Sequence, residues 1–370
     1  MKAHDPRSHD DWALLRQFLP RDAEQIAYRH GFNPRPPKHL RAKLTDFSGL
    51  LRLLLIHTGL DLSLVNTAAL APSLGLPEIS DVALLKRLNK APAWMAPLLA
   101  ELINENNRFS PARWAGYQVV AIDGTHLAQD GAPGVSHRIL YSLDLATGQP
   151  LDVQVTDVSQ GETLRYARAL PGQLYIGDRA YCTSVGIHHL HRQKAHLLTR
   201  YNPHTAPLLD ARGQPFDVLK KLGQVAAAKV REFKVQVTWR DHHSKDRDAP
   251  LGARLIIKNL GSKVRAQALK RLRLQHDNKV PRVARATAGY LILLTTVPQD
   301  RLSARALLRL YRMRWSVELK IKVDKSLWKI SHMPTKAPHS GIARILGKLI
   351  LEQLWNRILL SCAPSKKIVC

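Results

Sequence analysis

The stretch YRMRWSVELKIKVDK, residues 311–325, sets one glutamate among lysines and arginines. On an α-helix, at about 100° per residue, four of its side chains fall within roughly 60° of one another. They are Tyr311, Arg314, Glu318 and Lys325. An aromatic ring, a guanidinium, a carboxylate and an ammonium group would therefore share one helix face. A single carboxylate on such a basic face is unusual and raises the question of what it binds.

The charge of the whole chain points to a polyanionic partner. Its 370 residues hold 56 Lys and Arg against 29 Asp and Glu, a net charge of +27. Residues 202–370 carry 34 basic and 11 acidic residues, a net of +23, so most of the excess lies in the second half. An excess of this size is typical of proteins that bind nucleic acid. The alternative is a generally basic surface that binds any acidic partner.

Cysteine use and hydropathy predict a cytoplasmic protein. The three cysteines form no CxxC pair and no disulfide framework, which favours a reducing compartment. The N-terminal residues are polar and lack the apolar segment of a signal peptide. No run of 18 apolar residues occurs, so we expect no membrane span.

Periodicity divides the chain into five regions. An N-terminal helical domain precedes an α/β core, which is interrupted by a basic, β-rich insertion and followed by a C-terminal helix. The predicted boundaries are 1–115, 116–201, 202–288, 289–332 and 333–370. In the first region, two short helices around a break at Pro77 suggest either a helix-turn-helix or an ordinary helical bundle, and Ser80 is a good N-cap.

Two helices are predicted in or near the core. Residues 161–170, GETLRYARAL, suggest a short helix. Residues 303–325 predict one long helix that begins at Ser303 and carries the basic stretch. The C-terminal run GIARILGKLILEQLWNRILLS is amphipathic and should pack back on the core.

Two aspartates follow apolar runs that predict buried strands. Asp123 ends VVAID, and Asp178 ends LYIGD. Taken singly, Asp123 could belong to a hairpin turn and Asp178 could cap a helix with a local ion pair. Together with Glu318, they form a set of three carboxylates in an otherwise cationic protein, which suits two divalent cations on oxygen ligands.

The same three acids resemble the DDE triad of bacterial insertion-sequence transposases. The residues Tyr311, Arg314, Glu318 and Lys325 are similar to the signature of one subgroup: Tyr, two residues, Arg, three residues, Glu, six residues, Lys. The segments IDGTHL and YIGDRAY also resemble the two aspartate motifs of this family. The similarity spans about residues 116–360.

This resemblance implies an α/β fold with an RNase H-like mixed-sheet core. The triad would lie on the first strand, the fourth strand and a later helix, with a β-rich insertion before the glutamate. It also implies that Asp123, Asp178 and Glu318 are catalytic and bind Mg²⁺, for which Mn²⁺ can substitute. Tyr311, Arg314 and Lys325 would contact DNA phosphates near the cleaved end, although Tyr311 could instead be a core residue.

Further residues are weaker predictions. Relatives place an aromatic residue of the insertion against a flipped base, and Trp239 is the only tryptophan in residues 202–288. Trp239 could equally belong to the core of the insertion. Arg179 could bind phosphate or form a structural ion pair. Asp324 has no role in the signature beyond a solvated or ion-paired position.

The predicted function is cut-and-paste DNA transposition. The protein would bind terminal inverted repeats, cleave the DNA and join its 3′-hydroxyl end to target DNA. Because two ends must be joined, we expect a homodimer on double-stranded DNA. The alternatives are an inactive DNA-binding remnant and a metal-dependent nuclease without strand transfer.

Overall fold

Helices form the first part of the chain, as its apolar runs predict. The computed structural model describes residues 12–33, 46–107, 113–129, 135–157, 163–240, 248–333 and 338–362. Among them, the helices up to residue 107 are α1 (Trp12–Gln17), α2 (Ala23–Arg29), α3 (Phe47–Gly59), α4 (Leu64–Leu70), α5 (Asp81–Lys90) and α6 (Pro92–Asn107). The Ser80 hydroxyl accepts a hydrogen bond from the Ala83 N–H and caps α5, as predicted.

These helices share one hydrophobic core with residues from the middle and the later part of the chain. A 3₁₀ turn, Pro72–Leu74, separates α4 from α5, and the two helices are in contact. Leu84 and Leu88 of α5 are buried in the same cluster as side chains of α3 and α6. The N-terminal helices therefore pack as a bundle, and their use as a DNA-binding unit stays a prediction.

The C-terminal helix returns to the N-terminal bundle. α13 (Pro338–Cys362) packs against α3, α5 and α6, which confirms the predicted return of this helix. At Gly347 the approach to α3 is so close that an added Cβ would lie 2.3 Å from the Thr58 hydroxyl oxygen. Glycine, which has no Cβ, permits this contact. No helix in the described part of the chain is both long and apolar enough to cross a membrane.

A mixed sheet forms the centre of the molecule. Its strands are β1 (Gln118–Gln129), β2 (Val135–Asp144), β3 (Pro150–Asp157), β4 (Gln173–Gly177), β5 (His196–Arg200), β6 (Leu208–Leu209), β7 (Val230–Val237), β8 (Leu251–Asn259), β9 (Tyr290–Thr295) and β10 (His332–Met333). The order is β3-β2-β1-β4-β5-β9-β8-β7-β6, and β10 pairs with the far end of β1. β1, β4 and β5 run parallel to one another. β2 pairs antiparallel with β1, and β3 pairs antiparallel with β2. The fold is the predicted RNase H-like α/β core.

The predicted insertion extends the same sheet. Between β5 and β9 the chain forms β6, β7 and β8, together with helices α8 (Val218–Leu222), α9 (Ser262–Gln275) and α10 (Arg282–Thr287). β8 pairs antiparallel with β9, so the strands of residues 202–288 continue the core sheet. β8 is buried over most of its length, as expected for a strand that has a neighbour on each side.

The two faces of the sheet are covered by different helices. Along β4, Leu174 and Ile176 belong to one hydrophobic cluster and Tyr175 to another, because successive side chains alternate between faces. α7 (Ser184–Arg192) packs with Tyr175. On the other face lies α11 (Ala304–Arg312), beside α12 (Trp315–Leu327), which packs against β1 and β2.

Two helix predictions differ from the structure. The expected single helix over 303–325 is two helices, joined at Met313 and Arg314 by backbone hydrogen bonds of the i to i−3 type. The break lets α11 and α12 bury their apolar sides in different clusters. Residues 163–170 form no regular helix, and residues 161–162 lie outside the described part. Buried Leu164 and Ala169 instead hold this segment against the α7 face.

Candidate active site

Asp123 lies within β1 rather than at its end, which corrects the prediction of a strand terminus. It pairs with Tyr141 of β2, and β1 continues to Gln129, so the hairpin-turn alternative is wrong. β4, however, pairs only with the part of β1 up to Ala121. Asp123 therefore comes just after its strand loses the β4 neighbour. By alternation its side chain faces the same side as Ala121, the side covered by α12.

Asp178 directly follows β4, as predicted. Its Oδ1 accepts a hydrogen bond of 2.7 Å from the Ala180 N–H, and its carbonyl oxygen accepts one from the Thr199 hydroxyl of β5. At the preceding Gly177, an added Cβ would lie 3.1 Å from two side-chain carbons of Ile122. The absence of a side chain at this position therefore keeps the end of β4 close to the strand that carries Asp123.

Glu318 lies in the first turn of α12 and is bound to an arginine of the signature. Nη2 of Arg314 donates a hydrogen bond of 2.5 Å to Oε1 of Glu318, one helical turn further along the chain. Both side chains are half-buried. Val317 and Ile321 are buried in the hydrophobic cluster that also contains the N-terminal helices. Their burial fixes the rotation of α12, so that Glu318 faces the aspartates.

The three carboxylates act on one another electrostatically. The pKa of Asp123 is raised to about 6, chiefly by burial, and the charges of Asp178 and Glu318 contribute smaller increases. The Gly124 N–H, which donates a hydrogen bond of 2.9 Å to Oδ1 of Asp123, and the Arg314 charge both lower this pKa. Asp123, Asp178, Glu318 and Arg314 therefore form one charged cluster.

Tyr311, at the end of α11, packs in the hydrophobic cluster of that helix, as the core alternative predicts, and it also interacts electrostatically with the charged cluster. It is 9% exposed, and burial raises the pKa of its hydroxyl to about 12. The charges of Arg314 and Arg200 lower this pKa, and that of Asp178 raises it. Arg200, the last residue of β5, was missed in the sequence. Its signal would have been a cation at the carboxyl end of a buried parallel strand, the edge at which Asp178 also lies.

The structure does not bring every predicted residue into this cluster. Lys325 is half-buried on α12, seven residues beyond Glu318, and Arg179 is exposed beside Asp178. Trp239 follows β7 and packs on α7, with its ring 5.3 Å from the His188 ring and 5.4 Å from the Arg192 guanidinium carbon. Among the contacts found between described residues, none joins Trp239 to the triad.

The donor set of the cluster suits a hard divalent cation. Three carboxylates supply the oxygen ligands that such ions prefer, and their mutual repulsion at Asp123 is what a cation would relieve. Among the residues that the structure describes, no three His, Cys, Asp or Glu side chains are grouped tightly enough to hold a metal ion. Glu318 is instead paired with Arg314. The three carboxylates therefore have the right chemistry to bind a divalent cation, but one of them, Glu318, is hydrogen-bonded to an arginine.

A buried ionic network lies beneath α12. Both carboxylate oxygens of Asp324 accept hydrogen bonds of 2.6 Å from Nζ of Lys320, which also binds Glu352 of α13. Nζ of Lys320 lies 5.5 Å from the centre of the ring of Tyr141, the strand partner of Asp123. Asp324 is only 1% exposed, so the ion-paired alternative for this residue is confirmed. The network links the Glu318 helix to the sheet and to the C-terminal helix.

Similar proteins are known along nearly the whole chain. A protein described as transposase InsL of insertion sequence element IS186A, from Escherichia coli strain K12, is 28% identical over 359 residues, covering 95% of each chain. The transposase of insertion sequence element IS421 from Escherichia coli is 29% identical over 360 residues, again with 95% of each chain covered. Among solved structures, the piggyBac transposase in a synaptic complex with hairpin DNA matches with a TM-score of 0.44 and 12% identity, covering 97% of this chain and 83% of that one.

The family comparison agrees with the residues of the cluster. The Transposase DDE domain family matches residues 114–351, which include all three acids. The Tyr-Arg-Glu-Lys subgroup stays a prediction. Because the match covers more than half of the chain, the chain belongs to the Transposase DDE domain family and is a transposase, an enzyme that acts on DNA.

Proposed function

We propose that this transposase cleaves DNA at the ends of its element and joins the 3′-hydroxyl end to target DNA. Asp123, Asp178 and Glu318 would be its catalytic residues and the ligands of Mg²⁺, for which Mn²⁺ can substitute. The observation that carries this proposal is that Asp178 and Glu318 both act electrostatically on half-buried Asp123, in a chain that belongs to the Transposase DDE domain family. A half-buried set of mutually repelling carboxylates favours cation binding.

The proposed reaction has two stages, hydrolysis of one DNA strand and then a transesterification. Bound to the carboxylates, two divalent cations would activate the attacking hydroxyl and stabilise the leaving oxygen of the phosphodiester. Water first cuts the strand and leaves a 3′-hydroxyl. This oxygen then forms a bond to a phosphorus of the target, while the bond to the target 3′ oxygen breaks. One phosphodiester replaces another, so no nucleotide hydrolysis is required.

The residues around the triad would hold the DNA phosphates. The guanidinium of Arg314 can bind two phosphate oxygens, and Lys325 adds a second positive charge. The Tyr311 hydroxyl, which is protonated at neutral pH, can donate a hydrogen bond. We further propose that Arg179 contacts phosphate and Trp239 a base near the element end.

DNA recognition and assembly complete the proposal. The N-terminal helices and parts of residues 202–288 would bind the terminal inverted repeats. A homodimer on double-stranded DNA would bring two ends together. The protein would act in the cytoplasm on nucleoid DNA.

A strand-transfer assay tests this function. The protein is incubated with Mg²⁺, a pre-cut element end and a target plasmid. Joined product is the expected result. Nicks without joining would favour a plain nuclease, and an absence of covalent change would favour an inactive DNA-binding protein.

Three substitutions test the triad within the same assay. Asp123→Ala, Asp178→Ala and Glu318→Ala should each abolish cleavage and leave DNA binding largely intact. Asp300→Ala is the control, because Asp300 is an exposed carboxylate in the turn after β9. Cleavage at the normal rate by any one of the first three variants would remove that residue from the triad.

A further inference from the structure

A basic groove runs beside α11, outside the candidate active site. It has a volume of about 950 Å³ and lies between α11 and the strands β7 and β8. Arg305, Arg309 and Arg312 line it from the helix, and Lys229 and Lys258 line it from the opposite wall. We call this feature the α11 groove.

The α11 groove is positively charged without compensation. Its one acidic lining residue, Glu232, is already engaged by Arg254, with hydrogen bonds of 2.7 and 3.0 Å to its two oxygens. No ion pair joins any of the five lining cations to a described residue, whereas Arg254, Arg314 and Lys320 are all paired. The excess charge in the groove is therefore free to bind an anion.

The arrangement on α11 is more specific than a solvated helix face. Leu307, Leu308 and Leu310 face the core. On the exposed side, Arg305, Arg309 and Arg312 follow one another at intervals of four and three residues and so form a stripe. Arginines at i and i+4 repel each other and weaken a helix, and no acidic residue intervenes to offset this. Cations from a separate pair of strands converge on the same stripe.

The spacing and position of the groove identify its ligand. The seven helical steps from Arg305 to Arg312 span about 10 Å, and a DNA strand presents one phosphate per roughly 3.4 Å of duplex axis. The stripe thus matches a run of phosphates rather than a single small anion. Arg312 directly follows Tyr311 of the charged cluster, so the helical wall of the groove ends at the candidate active site.

We infer that the α11 groove binds the phosphate backbone of duplex DNA that continues from the candidate active site, without regard to sequence. This inference rests on the proposed function, since it takes the bound polymer to be the DNA on which the enzyme acts. Phosphate contacts of this kind position a duplex and carry no base information. The groove would therefore add affinity that depends on DNA length and on salt.

Binding of random-sequence duplex DNA to the full chain tests the inference. The affinity of the wild-type protein for DNA should fall steeply as salt rises. Arg305→Gln/Arg309→Gln/Arg312→Gln should make the slope of log affinity against log salt less negative by about 2–3, because each lost phosphate contact removes about 0.9 from its magnitude. The matched control is Arg168→Gln/Lys194→Gln/Lys329→Gln, which removes three exposed cations outside the regions proposed to bind DNA. It should change the slope by less than about 1. Equal effects of the two triple variants would overturn the inference.

Two further arms make the result decisive. Arg305→Lys/Arg309→Lys/Arg312→Lys keeps the positive charge and should retain binding. This variant separates the effect of lost charge from that of misfolding. Lengthening the duplex beyond the active site should strengthen binding of the wild-type protein but not of the triple Gln variant. If the triple Gln variant lost more affinity for duplex RNA than for duplex DNA of the same length, DNA would be rejected as the ligand.

The strand-transfer assay separates this inference from the proposed function. If the variants show the expected salt dependence but the protein joins no ends, the inference about the groove stands and the proposed transposition mechanism is wrong. If the wild-type protein joins ends but the triple Gln variant has an unchanged salt slope, the proposed mechanism stands and the inference about the groove is wrong.

Discussion

Arg314 and Glu318, two residues of the predicted signature, are bound to each other by a hydrogen bond of 2.5 Å. The pair spans one turn at the start of α12. It neutralises the carboxylate that the proposed mechanism assigns to a metal ion and occupies the guanidinium that it assigns to phosphate. Binding of metal and DNA would therefore require both residues to exchange partners.

Arg314→Ala should strengthen metal binding and weaken catalysis. Without the arginine, Glu318 is free to bind a cation, and a charged hydrogen bond of about 1.5 kcal/mol corresponds to a roughly tenfold gain in affinity. Mn²⁺ titration without DNA measures the gain, and cleavage of an element end measures the loss. Arg312→Ala, an exposed neighbour, should leave Mn²⁺ affinity unchanged. Weaker Mn²⁺ binding in Arg314→Ala would contradict competition between arginine and metal.

Asp123→Asn should stabilise the metal-free protein at alkaline pH. The pKa of Asp123 is raised from 3.8 to about 6, so between these values the unfolded chain ionises this group before the folded protein does. Stability is therefore lost as pH rises through this window and stays low above it. The amide removes this loss, with an expected gain of roughly 1–2 kcal/mol at pH 8 after allowance for solvent screening.

Urea unfolding in EDTA at several pH values measures this effect. The gain should grow from pH 4 to pH 7 and be absent below the ordinary pKa of the carboxyl. Asp300→Asn, at an exposed position, serves as the control and should show no such trend. A gain that does not vary with pH would mean that Asn acts through packing rather than charge.

Lys320→Met should destabilise the protein by roughly 3–5 kcal/mol, because it leaves Asp324 and Glu352 buried without their cation. Replacing all three residues with apolar side chains of similar volume should recover much of this loss. Denaturant unfolding gives both values. Lys322→Met, on the exposed side of the same helix, should cost less than about 1 kcal/mol. A triple variant no more stable than Lys320→Met would argue against a charge-based origin.

Gly347→Ala should destabilise the contact between the two ends of the chain. The new methyl group would lie 2.3 Å from the Thr58 hydroxyl oxygen, and such overpacking costs typically about 1–3 kcal/mol. Gly223→Ala is the matched control, since nothing lies within 4 Å of its added Cβ and its φ is −62°. The melting temperature should fall for the first variant and stay level or rise for the second. Adding Thr58→Ala to Gly347→Ala should restore part of the loss.

Local patterns predicted much of the fold and indicated the residues of the candidate site. The apolar runs that precede Asp123 and Asp178 marked buried strands, and the spacing around Glu318 marked its helix. These features depend on neighbours within a few residues, which the sequence displays directly. The predicted caps at Ser80 and Ser303 were also correct for the same reason.

Other features depended on contacts between distant parts of the chain. The helix break at Met313 separates α11 from α12 because each packs in a different hydrophobic cluster, and periodicity does not report which cluster a helix joins. Asp123 lies within a strand because β1 outlasts its β4 neighbour and continues along β2. Strand length in a sheet is set by such partners, and local propensity does not encode them.

The sequence by itself determined where the positive charge is concentrated, and it predicted three acids as a catalytic triad together with the residues around them. Only the tertiary structure decided that Asp324 and its partner Lys320 meet Glu352 of another helix, and that Lys229 and Lys258 face the arginines of α11. The physical reason is that burial and ion pairing are set by long-range packing. Residue types reveal what a side chain can bind, and the fold decides which partner it meets.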